Sequence, residues 1–265
     1  MCCPMPMSRE EQDREAFIRN VECVLCQLDP TIARDKFVLE FKLINTNVQT
    51  HVDRWVAFCA TSRVKHIVFD FKQGSWGKHD NSFNFPIHLF INGAPAVRSL
   101  CLMSGYLNPV PGFWGFTNLR KLMLDSVSGD IQCMLLPACS MLEWLSIVNC
   151  MQIVCVLRTG EVLNRIEELP PSREPHYHLK TLQMTGVYGY NNLFILALHY
   201  ARTAMALEHM VIDPEAKKSY VLTRDAVEED AVHWGRRMAN EHLRGQGLDG
   251  ILTIFRDEGC KLGVS

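Results

Sequence analysis

The sequence has no apolar run long enough to cross a bilayer. Its richest stretch, NNLFILALHYARTAMALEHM, is interrupted by His199, Tyr200 and Arg202, where a spanning helix needs about 20 consecutive apolar residues. The opening MCCPMPMSREEQDRE lacks a basic start followed by an apolar segment. That argues against a secretory signal and leads us to expect a cytoplasmic or nuclear protein with reduced thiols. Cationic surplus is missing too. Lys and Arg number 27 against 29 Asp and Glu, for a net charge of -2, so nucleic acid and membrane are not expected partners. Also missing are H-E-x-x-H, G-x-S-x-G, G-x-x-x-x-G-K-[ST] and G-x-G-x-x-G, the spacings that gather a metal, a nucleophile or a phosphate cradle. We therefore expect no catalytic residues, no cofactor and no enzymatic role.

Cysteine is not scarce, at 11 residues, but its arrangement is poor in chemistry. Cys23 and Cys26 make a single C-x-x-C, with Cys2 and Cys3 nearby in sequence, and a zinc site needs a second pair at suitable spacing. They are expected to be free thiols. His176 and His178 flank Tyr177 without an accompanying thiol or carboxylate motif, so they read as solvated loop histidines. Thr185 to Gly189, TGVYG, reads as a turn, and Asp213-Pro214 as the end of a strand.

What the chain does have is apolar material, 48% of its residues, enough for a substantial core. It also has a rhythm. FTNLRKLMLDSV holds Leu119, Leu122 and Leu124 in an L-x-x-L-x-L triad. Equivalent triads start at Val64, Val97, Leu142, Leu179 and Leu207, giving gaps of 33, 22, 23, 37 and 28 residues. Recurrence at this period is the mark of a leucine-rich-repeat solenoid. The expected fold class is α/β, with parallel strands on the concave face and helices on the convex face. Alternation in a strand sends triad positions 1, 4 and 6 into the core and positions 3, 5 and 7 onto the concave surface.

Between the triads lie helices. Val52, Trp55, Val56 and Cys59 share one face, and NNLFILALHYARTA repeats the arrangement, with Asn191 or Asn192 available as a cap. Pro137 restricts its connection to a short turn. Phe17, Val21, Val24 and Leu28 predict an amphipathic helix over 10–28, capping the first repeat. KFVLEFKL alternates as a first strand, Val227, Ala231, Trp234 and Met238 predict a helix over 224–243, and 251–255 reads as a last strand. The chain thus divides into a capping segment, 1–36, and a repeat domain, 37–265. A loop break falls at 160–176, where Pro170, Pro171 and Pro175 cluster, after MQIVCVL, a candidate extra strand. A division into two domains near that break is the alternative.

The concave surface is the candidate site. Its middle row is largely apolar, and Trp144 offers an anchor. The expected partner-binding residues are Lys121, Met123, Asp125, Trp144, Ser146, Gln183 and His209. Coverage of that row by loops or by the C-terminal helix is the competing expectation.

The triads, with HVDRWVAFCATSRVKHIVFDF, LLPACSMLEWLSIVNC and HYHLKTLQMTGVYGYNNLFILALHYARTAMALEHMVIDP, resemble plant F-box/leucine-rich-repeat proteins. The likeness is to their F-box-associated repeat region, over about 37–150 and 174–215. His51, Asp53 and Trp55 match that group's h-v-D-R-W segment, and Gly186, Gly189, Met210, Ile212, Asp213 and Pro214 its G-x-x-G…M-x-I-D-P segment. The resemblance implies the substrate-recognition half of a ubiquitin-ligase receptor, with a protein client. The F-box that docks on a Skp-type adaptor has no counterpart in the sequence, and the middle between Cys150 and His176 is short. A truncated receptor without adaptor binding is therefore expected. A small-ligand sensor using the apolar concave face is the alternative function.

Overall fold

The computed structural model describes residues 8–41, 48–71, 83–91, 96–108, 110, 113, 115–129, 139–150, 176–187, 191–214 and 227–254. Helix α1 (Arg9–Gln27) precedes strand β1 (Lys36–Glu40). Then come α2 (Gln49–Thr61), β2 (His66–Asp70), a 3₁₀ turn (Ile87–Phe90), β3 (Ser99–Tyr106), β4 (Lys121–Ser128), β5 (Trp144–Val148) and β6 (Thr181–Thr185). Helix α3 (Asn191–Thr203), β7 (His209–Asp213), α4 (Val227–Leu243) and β8 (Leu252–Ile254) complete the order. The eight strands form one parallel sheet in sequence order. This is the expected α/β leucine-rich-repeat solenoid.

The triads build the sheet. Ile67, Leu100, Leu122, Leu145, Leu182 and Met210 stand in register, as do Phe69, Leu102, Leu124, Ile147, Met184 and Ile212, and all are fully buried. No single repeat can hide such an edge, so each strand supplies the wall its neighbour needs. Just past the triads the chain turns in a second register. Ser104, Ser126, Asn149 and Gly186 occupy successive rungs and all have positive φ, at 64°, 55°, 51° and 76°. A Cβ on Gly186 would stand 2.7 Å from Asn149 Oδ1, so glycine suits that rung. Cys150 lies one residue beyond this column. Its buried Sγ accepts from the Val127 N–H at 3.4 Å and lies 3.7 Å from the Leu124 carbonyl. Burial pushes the Cys150 and Cys139 thiols up to about 12, so they act as structural hydrophobes.

Helix α2 buries Val52, Trp55, Val56 and Cys59, the expected face. Helix α4 approaches the sheet end at Gly235, where a Cβ would lie 2.4 Å from the Val187 carbonyl oxygen. The expected stripe on that helix included Val227 and Ala231, whose side chains lie outside the described residues. Its Trp234 and Met238 are partly buried against the core, while Ala239 and Leu243 are fully buried. The side chains of Asn191 and Asn192, the expected caps, together with the MQIVCVL strand, Pro137 and the break up to residue 175, also fall outside the described residues.

Helix α1 is closed by a capping box: Ser8 Oγ accepts from the Glu11 N–H at 3.3 Å and Glu11 Oε2 accepts from the Ser8 N–H at 2.7 Å. Its packed stripe differs from the expected one. Phe17, Ile18, Val21 and Leu25 meet the core, whereas Val24 is 54% exposed. Phe17 sets the phase, stacking on Phe41 with centroids 4.0 Å apart and meeting Trp55 edge-on. Glu22 then reaches His51 Nδ1 at 2.9 Å and Arg54 at 3.6 Å, which turns the helix so that position 25 faces inward.

His176 corrects a second expectation. It is not a solvated loop residue but is 6% exposed, bridging to Ala204 at the C-terminus of α3. Its N–H donates to the Thr203 carbonyl at 2.8 Å, and its ring lies 4.9 Å from Tyr200 and 6.0 Å from His199. His178 is exposed, as expected. Burial, helped by His176, lowers the His199 pKa from 6.5 to about 4. The unfolded chain therefore binds a proton near pH 6.5 that the folded chain refuses until about pH 4. Stability should be lost as pH falls through that window, by up to ~3 kcal/mol. Urea midpoints at pH 7 and pH 4.5 should show this loss, and His199→Leu should remove most of the difference relative to wild type.

Candidate partner-binding face

On the opposite side from the core, the outward residues of the strands form three rows. Along the strand starts run Lys36, His66, Ser99, Lys121, Trp144, Thr181 and His209. The middle row holds Val38, Val68, Cys101, Met123, Ser146, Gln183 and Val211, and the third Glu40, Asp70, Met103, Asp125, Val148, Thr185 and Asp213. The expected site residues thus stand together on one face, and β4–β5 places Lys121 beside Trp144. The Lys121 ammonium lies 4.3 Å from the centre of the Trp144 ring, a contact worth about 0.5–1 kcal/mol at such a site.

The face is not open everywhere. Lys121 and His209 are exposed, and Met123, Asp125, Trp144 and Gln183 are half-buried. Ser146 is 1% exposed, as Val148 and Thr185 also are nearly closed to solvent. Asp70 on β2 is also buried, and the other closed positions, Ser146, Val148 and Thr185, sit on β5 and β6.

Charge is banded across this surface. Lys36 and Lys121 of the first row share their strands with the acids Glu40 and Asp125 of the third, where Asp70 and Asp213 add negative charge, and the largely apolar middle row lies between. Cys101 lies in that middle row. Burial and then Asp70 push its thiol up to about 11, with Asp125 and Glu40 adding to the effect against Lys121. A protonated thiol is no nucleophile.

At the strand entries a further column, Asp35, Lys65, Arg98, Arg120, Glu143, Lys180 and Glu208, was missed by the triad reading, although it is position 2 of each triad. Lys65 pairs with Asp35 at 3.1 Å, Arg120 with Glu143, and Lys180 with Glu208 at 3.2 Å. Such exposed cross-strand pairs contribute roughly 0.2–1 kcal/mol each. Arg98 lies between two cations, with no acid beside it in the column.

Cys23 and Cys26 are exposed free thiols on α1. Among the described residues, no three His, Cys, Asp or Glu side chains gather as a metal site, and no helix is long and apolar enough to cross a membrane.

An all-parallel sheet of repeated triads with a banded outer face defines a leucine-rich-repeat protein, an architecture whose curvature produces extended binding surfaces. Residues 30–172, just over half of the chain, match the At1g61320/AtMIF1 leucine-rich-repeat domain, and the chain belongs to that plant family. Searches of curated proteins and of solved structures found no match.

Proposed function

We propose that the chain is a non-enzymatic recognition module that holds a protein client on its outer sheet face, in the manner of the substrate-recognition half of plant F-box ubiquitin-ligase receptors. The observation that carries this reading is the Lys121–Trp144 pair. It sets a flat aromatic and a cation together in the first row at the middle of the sheet, with half-buried Met123 next along the strand and the acid Asp125 beyond it. An aromatic anchor next to charged rims is the composition of an interface hot spot. The six accessible residues, Lys121, Met123, Asp125, Trp144, Gln183 and His209, form the proposed contact, with Ser146 supporting from beneath. A Skp-type adaptor is not proposed as a direct partner. The apolar stripe of α1 is already occupied by Phe41, Trp55 and the rest of the core, and it is not free to serve as an adaptor surface.

The test is a pull-down from plant extract with purified chain, with and without added adaptor. A client should be retained in both cases. Trp144→Ala should weaken its complex by about 2 kcal/mol or more while leaving the urea midpoint nearly unchanged. Calorimetry showing sub-micromolar binding of adaptor to this chain would overturn the second half of the proposal.

A further inference from the structure

The sheet has two ends, and they differ. Among the described residues, β8 at one end spans three residues, with a single outward side chain, Thr253, on the outer face. At the other end β1 spans five residues and, among the described residues, pairs with β2 alone. Short strands are one way in which proteins blunt a sheet edge, and β1 is not treated that way.

Which backbone groups β1 leaves unused follows from its bonds to β2. The His66 N–H donates to the Asp35 carbonyl and the Phe41 N–H donates to the Asp70 carbonyl, both at 2.9 Å. In a parallel ladder alternate residues aim both groups at one neighbour. Residues 35, 37, 39 and 41 therefore face β2, and the N–H and C=O groups of Lys36, Val38 and Glu40 point away from it.

The side chains of these same three residues stand on the outer face. Lys36 and Glu40 are exposed and Val38 is 38% exposed. Among the described residues neither Lys36 nor Glu40 makes an ion pair. Like charges on such an edge would repel a second strand. A cation and an anion placed symmetrically about an apolar residue complement a copy of themselves when the copy runs the other way.

We infer that the β1 edge is a self-association surface, on which a second copy of this chain pairs antiparallel with Val38 opposite the partner's Val38. In that register Lys36 falls opposite the partner's Glu40, and Glu40 opposite the partner's Lys36. Phe37 and Leu39 fall opposite one another on the core side. The three residues with outward backbone groups pair with one another, so each N–H meets a carbonyl. A one-residue slip would set groups already bonded to β2 against the edge and destroy the match. The two sheets join into one, and the two outer faces lie on the same side, which presents two client surfaces per dimer.

Sedimentation velocity of the full chain, from about 1 to 100 μM, should show a reversible monomer–dimer equilibrium. Lys36→Glu or Glu40→Lys alone sets like charges opposite each other twice by symmetry and should raise the dissociation constant roughly tenfold or more. The double variant Lys36→Glu/Glu40→Lys restores both pairs and should return the constant to near its original value. Val38→Pro removes an edge N–H that the chain itself does not use and should abolish the dimer with little change in melting temperature. If that variant melts early, the charge series alone decides. A chain monomeric at the highest concentration would overturn the inference. So would a dimer indifferent to both single charge changes, or single changes that the double variant does not rescue.

Discussion

Trp55→Ala should lower the unfolding free energy by roughly 3–5 kcal/mol, the range for emptying a large aromatic site in a core. Trp55 is fully buried. It faces Phe17 on α1 edge-on at 6.3 Å, Phe71 at 6.3 Å and His51 at 6.2 Å. It is therefore the piece to which α1, α2 and the sheet all attach. Among the described residues its buried indole N–H has no hydrogen-bond partner, a desolvation cost of roughly 1–3 kcal/mol. Trp55→Phe removes that orphan donor with the volume it occupies, so it should cost much less than Trp55→Ala. Urea titration of the three proteins gives the ordering. Limited proteolysis adds a local readout, since loss of the Trp55 ring removes the surface on which Phe17 rests. Cleavage within α1 should accelerate in Trp55→Ala before the sheet is attacked. Equal costs for alanine and phenylalanine would show that the site relaxes around either side chain.

Much of this arrangement was legible in the sequence, because strand alternation and repeat period are read from residue spacing alone. Leu119, Leu122 and Leu124 predicted their strand, and the five other triads predicted theirs. Val52, Trp55, Val56 and Cys59 predicted the buried face of α2. The first strand was legible from alternation only, since Arg34 stands where its triad would need an apolar residue. Other features depend on contacts between distant segments. The phase of α1 is set by Phe41, Trp55 and His51, so Leu25 rather than Val24 turns inward. His176 follows a proline-rich stretch that looks exposed, and its burial comes from pairing with Ala204 on the far side of α3. The left-handed column is half legible: Asn149 and Gly186 are residue types that favour positive φ, whereas Ser104 and Ser126 are not. At the candidate site, spacing placed Lys121 and Trp144 in one row. That Lys121 lies over the ring, and that Ser146 is closed to water, depends on side-chain packing that no spacing reports.

The second large effect tests the alternation on which both fold and face depend. Leu122→Ala should cost roughly 2–5 kcal/mol, while Lys121→Ala, one residue earlier, should change stability by only about 0.5–1 kcal/mol, the worth of a partly exposed cation–aromatic contact. Leu122 is fully buried in the middle of the sheet, with Leu100 on one side and Leu145 on the other, both equally buried. Truncation there opens a cavity between rungs that cannot close, because the backbone spacing is fixed by the ladder on each side. Lys121 is exposed on the other face, where it lies over the Trp144 ring. Client binding should show the reverse order. With both variants held well below their urea midpoints, Leu122→Ala should retain affinity and Lys121→Ala should lose it along with Trp144→Ala. Measured together, stability and binding thus assign adjacent residues of one strand to opposite faces. If Leu122→Ala were mild and Lys121→Ala severe in stability, the strand would be turned the other way and the proposed contact surface would lie in the core.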